Sequence, residues 1–314
     1  MTWQLLIGLV LMLAGGEGLV RGAVALAERL GISPLVVGVV LVGFGTSAPE
    51  LATCIDAALN GAPGIAIGNI VGSNIANVLL ILAIGALLSP IAAEPRALRR
   101  DGPVLIVSAL VCTAIILGGH IGRGLGAILL LSLTVYLVMT TWNDRNQGAV
   151  GADQEPRPPL AVGALLGDLG FAVGGLLAVL FGAHLLVASA VDLAARLGVS
   201  EAVIGLTLVA IGTSLPELVT AVMASVKRQG ALVFGNVIGS NIFNSLGILG
   251  ATALVQPIDM PTDVAVFDIW VMLGATAALL LFACTNWRVS RREGAALLVG
   301  YVAYLGMHAG PLAA

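Results

Sequence analysis

The sequence carries little charge, since Asp, Glu, Lys and Arg make up only 10 % of its 314 residues. Soluble globular proteins carry roughly 25 %. Hydrophobic residues make up 59 % of the chain, and its mean hydropathy is +1.06. The length would suit a soluble two-domain enzyme, but the apolar runs are too long and too many for one. The composition therefore indicates an integral membrane protein whose main surroundings are the lipid bilayer.

Cysteine and histidine are also scarce, with three residues of each. Cys54, Cys112 and Cys284 show no C-x-x-C spacing, which favours apolar packing over a disulfide or a metal site. The histidines are scattered and suggest no transition-metal cluster. No H-E-x-x-H motif is present, and no serine stands beside a lysine or histidine that could act as its base. The chain is therefore expected not to be an enzyme and to need no cofactor.

The apolar runs predict an all-α membrane protein with ten transmembrane helices, because a spanning helix needs about 20 mainly apolar residues. The predicted spans lie near residues 3–28, 34–59, 64–90, 103–118, 123–141, 160–195, 201–226, 231–255, 264–284 and 294–311.

Basic residues predict the orientation of these spans, because cytoplasmic loops carry an excess of Lys and Arg. With the N-terminus outside, two basic residues fall in outer loops, Arg123 and Arg196, and Arg21 falls within the first span. Both termini are therefore expected to be extracytoplasmic. The basic residues form a cytoplasmic rim without an aromatic patch, which gives no support to nucleic-acid binding. The eleven in inner loops are Arg29, Arg96, Arg99, Arg100, Arg145, Arg157, Lys227, Arg228, Arg288, Arg291 and Arg292.

Two pairs of motifs occur twice in the chain. The first pair is GFGTSAPE at 43–50 with GNIVGSNIAN at 68–77, and the second is AIGTSLPE at 210–217 with GNVIGSNIFN at 235–244. Each motif is repeated 167 residues later. Each copy places one glutamate inside an apolar run, where a carboxylate is costly and marks a functional site by default. The duplication suggests one site built from two halves.

The duplication predicts two inverted-topology repeats. Residues 1–141 form the first five-helix repeat, 142–159 a polar cytoplasmic linker, and 160–314 the second five-helix repeat. Five helices per repeat is an odd number, so the second repeat must enter the membrane from the opposite side. In such proteins the substrate site lies near the middle of the bilayer at the repeat interface.

The polar residues of the motifs fall on shared helix faces, because residues three or four apart lie on one side of a helix. Pro49 and Pro216 are expected to kink their helices and to free backbone carbonyls. Interhelical hydrogen bonding is the structural alternative for the serines and asparagines of the second motif, and hydrogen bonding to helix carbonyls is the alternative for Ser47 and Ser214. The residues grouped in this way are Thr46, Ser47, Glu50, Ser73, Asn77, Thr213, Ser214, Glu217, Ser240 and Asn244.

Carboxylates, hydroxyls, amide oxygens and carbonyls are the ligands of hard cations, and calcium takes six to eight such oxygens. Two carboxylates would neutralise one divalent ion, and sodium can use the same oxygens. Without a cation the two carboxylates would repel each other, so protons should compete for the site. An anionic substrate fits poorly, because neither motif contains arginine or lysine.

The paired GTSAPE with GSNIAN and GTSLPE with GSNIFN blocks resemble the alpha repeats of the calcium/cation antiporter superfamily, in particular the sodium/calcium exchangers of prokaryotic type. The resemblance covers the whole chain. It implies that Glu50 and Glu217 bind calcium with the carbonyls of Thr46 and Thr213. It further implies sodium ligation by hydroxyls, by the Gly43 and Ala210 carbonyls, and by groups flanking the centre. The hydroxyls are those of Thr46, Ser47, Ser73, Thr213, Ser214 and Ser240, and the flanking residues are Asn77 and Asn244.

Some relatives, including potassium-dependent ones, have an aspartate where this chain has Asn244, which argues against potassium co-transport. The resemblance implies a secondary active antiporter that exchanges calcium for sodium by alternating access in a prokaryotic plasma (inner) membrane. No obligate protein partner is predicted. A calcium/proton antiporter is the first alternative, and a cation channel is a weaker one. The first helix of each half, with Gly15–Gly16 and Gly174–Gly175, is expected to move during exchange.

Overall fold

The protein is described by a computed structural model that covers residues 2–148, 162–196, 210–260, 266–285 and 287–309. Apart from four two-residue strands, the regular structure of this part is helical. The helices of the first half are α1 (Thr2–Leu30), α2 (Pro34–Thr46), α3 (Ala48–Leu59), α4 (Pro63–Leu88), α5 (Pro95–Leu117) and α6 (Arg123–Gly148). Those that follow are α7 (Val162–Arg196), α8 (Ala210–Thr213), α9 (Leu215–Val226), α10 (Gly230–Val255), α11 (Val266–Cys284) and α12 (Arg291–Ala309).

Seven helices of the described residues are long and apolar enough to cross a membrane, or eight when α2 and α3 count as one bent span. The fold is thus that of an all-helical membrane protein. Ten spans stay a prediction. Of the two remaining segments, the run at 201–226 is described only from Ala210 onwards, and α12 begins with three charged residues. Helix α6 continues to Gly148, into the segment predicted as a linker.

Four helices form two layers around the centre of the molecule. Helices α4 and α10 are the inner layer, since 78 % and 94 % of their most apolar stretches are buried. Helices α1 and α7 lie outside them and pack on each other, and their corresponding fractions are 33 % and 28 %. Glycines allow this close approach, because a Cβ at Gly15 would lie 2.7 Å from the carbonyl oxygen of Gly175.

Helix packing also repeats itself between the two halves. A Cβ at Gly126 of α6 would lie 2.7 Å from the Gly250 carbonyl oxygen of α10. A Cβ at Gly294 of α12 would lie 2.9 Å from the Ala83 carbonyl oxygen of α4. These contacts occupy equivalent positions in the two halves, and each joins a helix of one half to a helix of the other.

The four short strands also pair between the two halves. β1 (Ile91–Ala92) pairs antiparallel with β4 (Arg288–Val289), and β2 (His120–Ile121) pairs antiparallel with β3 (Ile258–Asp259). Each pair joins one strand from either half. The halves are therefore interlocked along their length rather than packed as separate bodies.

The arginines that follow these strands cap the inner helices in both halves. Arg123 donates to the carbonyl oxygens of Leu254 and Val255 at the end of α10, at 3.1 and 3.3 Å. Arg291 donates to the corresponding carbonyl oxygens, those of Leu87 and Leu88 at the end of α4, at 3.0 and 3.2 Å. The final carbonyls of a helix have no partner within it, and a cation there also suits the helix dipole.

Candidate cation site

The first motif of each half sits at a break between two helices. Helices α2 and α3 meet at Ser47 with a bend of 42°, and Pro49 lies in the first turn of α3. Ser214 separates α8 from α9 in the same way, with Pro216 in the first turn. The kink predicted at Pro49 is confirmed. Its physical cause is that proline suits the first turn of a helix but cannot continue one.

The break lets each glutamate accept a hydrogen bond from the opposite half. Ser47 Oγ donates to Glu217 Oε1 at 2.8 Å, and Ser214 Oγ donates to Glu50 Oε1 at 3.2 Å. Both carboxylates are 1 % exposed, and each is bound by the serine that lies three residues before the other glutamate. The structure therefore brings the two predicted glutamates into one buried cluster.

The serines of the second motif complete these chains of polar groups. Ser47 Oγ also contacts Ser240 Oγ at 3.2 Å, and Ser214 Oγ contacts Ser73 Oγ at 3.4 Å. Ser240 Oγ in turn donates to the Gly43 carbonyl oxygen at 3.2 Å. Gly43 thus points a backbone oxygen into the cluster. Its twin Ala210 begins α8, and its surroundings lie outside the described residues.

One oxygen of each carboxylate makes no hydrogen bond in the described part of the chain. Glu50 Oε2 and Glu217 Oε2 are buried and have no hydrogen-bond partner in the described part of the chain. A buried charged oxygen without a partner is expensive. A cation of the hard, oxygen-binding type would satisfy oxygens of this kind, so the donor set of this structure fits the predicted substrate ions.

The threonines are turned toward their own backbones or toward a neighbouring amide. Thr46 Oγ1 donates to the Val42 and Gly43 carbonyl oxygens at 2.9 and 3.4 Å. Thr213 Oγ1 accepts from Asn69 Nδ2 at 3.5 Å. Hydrogen bonding to a helix carbonyl was the alternative considered for Ser47 and Ser214, and it is wrong for both, because their hydroxyls bond to side chains of the opposite half. It occurs instead at Thr46.

Four asparagines form a second buried cluster between α4 and α10. Asn77 Nδ2 donates to Asn241 Oδ1 at 3.0 Å, and Asn244 Nδ2 donates to Asn74 Oδ1 at 3.1 Å. Asn77 begins a π-helical segment, Asn77–Leu82, and Asn244 lies in another, Phe243–Ile248. Such segments are frequent at functional sites. The predicted ligands Asn77 and Asn244 are thus held together, each by an asparagine of the other half.

Sequence reasoning missed two asparagines, Asn69 and Asn236, which follow the first glycine of each second motif. Asn69 reaches Thr213 as described above. Asn236 is 1 % exposed, and neither polar atom of its side chain has a partner within the described residues. Both asparagines occupy the same place in the two copies of the motif, and this repetition could have identified them as candidate site residues.

The chain matches the family model described as sodium/calcium exchanger protein over residues 1–142 and 168–309. It is 35 % identical over 336 residues to the sodium/calcium exchanger MaX1 of Methanosarcina acetivorans, covering 96 % of each chain. It is 34 % identical over 316 residues to the inner membrane protein YrbG of Escherichia coli, covering 98 % of this chain and 96 % of YrbG. The solved structure of the sodium-calcium exchanger NCX_Mj has a TM-score of 0.86 at 32 % identity and covers 97 % of each chain.

The fold and these matches define a membrane antiporter, because the matched family is one of transporters rather than enzymes. The chain belongs to the sodium/calcium exchanger family, of the prokaryotic type within the calcium/cation antiporter superfamily.

Proposed function

We propose that this protein exchanges calcium for sodium across a prokaryotic inner membrane and that its cations bind between Glu50 and Glu217. The observation that carries the proposal is the pair of buried carboxylates, each held by a hydroxyl of the opposite half and each with one unpartnered oxygen. The names of MaX1 and NCX_Mj support the choice of ions, and the name of YrbG supports the membrane.

The charge balance favours one divalent ion or several monovalent ones. Calcium between the two carboxylates would cancel both charges, and the carbonyls of Thr46 and Thr213 would add neutral oxygens. Sodium would use the same glutamates together with hydroxyls and carbonyls. Because calcium and sodium would share the two glutamates, binding of one would neutralise the negative charge that attracts the other. The proposed sodium ligands are Thr46, Ser47, Ser73, Asn77, Thr213, Ser214, Ser240, Asn244 and the carbonyls of Gly43 and Ala210.

The proposed architecture is ten helices in two inverted repeats, residues 1–141 and 160–314, joined by the linker 142–159. Its support is the repeated packing of Gly126 with α10 and of Gly294 with α4. Alternating access would come from α1 and α7 moving together against the inner helices, because these two helices pack on each other and contain no site motif. Crosslinking α1 and α7 to α4 and α10 should stop exchange, and unchanged exchange would refute this motion.

The test is calcium uptake by proteoliposomes. Vesicles loaded with sodium are diluted into sodium-free buffer that contains radiolabelled calcium. We expect uptake that disappears when the sodium gradient is removed. Glu50→Gln and Glu217→Gln should each lower the rate at least about a hundredfold, because each leaves one buried charge for a divalent ion, and charged partners in a buried site are worth several kcal/mol.

Glu94→Gln is the matched control, because Glu94 is exposed and precedes α5 outside both motifs. It should transport at the wild-type rate. Full exchange in either site variant would defeat the site assignment, while sodium-independent uptake by the wild type would defeat sodium coupling.

A calcium/proton antiporter is the second candidate, because the mutual repulsion of Glu50 and Glu217 can be relieved by a proton as well as by a cation. Clamping the pH on both sides of the vesicle separates the two. Calcium uptake driven by sodium alone at clamped pH supports sodium exchange, and uptake driven only by a pH gradient supports proton exchange.

A further inference from the structure

A basic cleft lies at the end of the molecule where α4 and α9 finish and α12 begins. It consists of two adjoining recesses of about 490 and 360 Å³, both bordered by Pro90 and Arg291. Arg228 lines the first recess, and Arg288 and Arg292 line the second. The positive-inside count predicts that this end faces the cytoplasm.

Several arginine N–H donors of the cleft have no acceptor within the described residues. Arg291 is engaged with the carbonyls at the end of α4. The side chains of Arg228 and Arg292 make no hydrogen bond or ion pair within the described residues. The acidic residue of the cleft, Glu293, is already held at its two oxygens by the Ser290 N–H at 2.6 Å and the Thr285 hydroxyl at 2.7 Å. Four arginines, Arg228, Arg288, Arg291 and Arg292, outnumber this one carboxylate, so the cleft keeps a net positive charge.

Comparison with the opposite end shows that the fold does not require these arginines. The twin of Arg228 is Gly61, which ends α3 as Arg228 ends α9. The twin of Arg292 is Gly124, since each follows the capping arginine of its half. The twin of Arg288 is His120. In the strand pairs, Arg288 lies opposite Ala92 and His120 lies opposite Asp259. The same backbone thus exists on the other face without this basic cluster.

A buried hydroxyl beneath the wall of the cleft is a second observation. Ser225 lines the larger recess, is 2 % exposed, and its Oγ has no hydrogen-bond partner within the described residues. The positive-inside bias explains basic residues on this face. It does not explain why arginines border a recess that holds an unused polar group, which points to a ligand with acceptor oxygens.

The rim of the cleft is apolar. Leu88 and Val226 line the same recess and are 44 % and 64 % exposed. Both end helices of the membrane-spanning bundle, so their exposed side chains suit acyl chains. A ligand that combines an anion with a hydrocarbon tail fits this boundary better than a free anion.

We propose that the basic cleft binds the phosphate-bearing headgroup of an anionic lipid from the adjacent leaflet. Arg228, Arg288 and Arg292 would surround the phosphate, because guanidinium groups match phosphate oxygens with paired hydrogen bonds. Ser225 Oγ, which lies against Gly85, would have to rotate toward the recess to donate to the same headgroup, while Leu88 and Val226 contact the upper part of its chains. This site is separate from the cation site and does not depend on which ions are exchanged.

The test measures binding of dioctanoyl phosphatidic acid to the full chain in phosphatidylcholine nanodiscs by calorimetry. The cleft variant combines Arg228→Gly, which copies the twin residue, with Arg292→Gln. The control combines Arg96→Gln with Arg99→Gln, which removes two exposed arginines from α5, outside the residues that line the cleft. We expect the cleft variant to bind about tenfold more weakly or worse, and the control to stay within about twofold of the wild type.

A second arm adds inorganic phosphate as competitor and separates the two sources of the phosphate group. Phosphate at the concentration of the lipid should leave lipid binding unchanged. Equal losses in both double variants would overturn the proposal in favour of a general attraction to the basic face. Equal potency of inorganic phosphate would overturn the lipid assignment. A thermal midpoint of the cleft variant at or above that of the wild type would show that lost binding is not lost folding.

Discussion

The two halves of the chain agree where they face each other and differ at helix ends away from that contact. Ser47 and Ser214 make the same hydrogen bond to the opposite glutamate, and Asn77 and Asn244 make the same hydrogen bond to an opposite asparagine. At the helix ends, by contrast, Gly61 corresponds to Arg228. Contact between the halves constrains the residue types of both copies at the interface. The residue types at the exposed ends depend only on their own surroundings.

Backbone geometry is more strictly preserved between the halves than residue type. Gly61 and Arg228 both have positive φ, 72° and 58°, although only glycine adopts this region without strain. Gly119 and Trp287 repeat the pattern, with φ of 76° and 53°. The second half therefore keeps the turn of the first and tolerates its steric cost.

The largest effect is expected when the two crossed hydroxyls are removed one at a time. Ser47→Ala and Ser214→Ala should each lower sodium-driven calcium uptake by about tenfold or more, because a hydrogen bond to a charged group is worth about 1.5–3 kcal/mol. The two losses should agree within about threefold if the halves contribute equally.

Ser108→Ala is the control for this pair. Ser108 is 1 % exposed, and its hydroxyl donates to the Leu105 carbonyl oxygen within α5 at 2.9 Å, away from the glutamates. It should transport normally. A large loss in only one of the two site variants would show that the halves are alike in geometry but not in function.

A smaller effect is expected from the twin helix contacts. Gly126→Ala and Gly294→Ala each place a methyl group against a backbone carbonyl, so each should destabilise the protein by about 1–3 kcal/mol. Thermal unfolding in detergent measures this change. Gly306→Ala tests the same helix as Gly294 at an exposed position and should leave the unfolding temperature unchanged or raise it. A lowered midpoint in that variant would mean that alanine harms α12 for another reason.

The smallest effect is expected at the unequal turns. Arg228→Gly should stabilise the protein by about 0.5–1 kcal/mol, because glycine removes the strain of positive φ, and Gly61→Ala should destabilise it by about 1 kcal/mol. Thermal unfolding without anionic lipid is the measurement. Opposite signs would show that backbone strain decides the stability of both turns, and equal signs would show that side-chain contacts dominate them.

The sequence was sufficient for the parts of the structure that depend on composition and on repetition. Low charge and long apolar runs predicted the helical membrane protein, and Pro49 predicted the bend between α2 and α3. The repeated glutamates predicted that Glu50 and Glu217 would meet, because duplicated motifs in an inverted arrangement converge at the interface.

The partners of the site could not be predicted from helical spacing. That spacing placed Ser47 on the face of Glu50, but the helix breaks at Ser47 itself, so the face does not continue and the hydroxyl reaches Glu217 instead. The asparagine cluster depended likewise on the close approach of α4 and α10. Such contacts between positions far apart in the chain carry no local periodicity.

The crossed hydrogen bonds also set the order of events during biosynthesis. Glu50 and Ser214 are separated by 164 residues. At a synthesis rate of about 5–20 residues per second, the ribosome needs on the order of 10–30 s to reach the serine after it has made the glutamate. Throughout that interval the nascent first half holds an acidic group whose native donor does not yet exist. The translocon, water or a bound proton must stabilise that group until the second half has been synthesised.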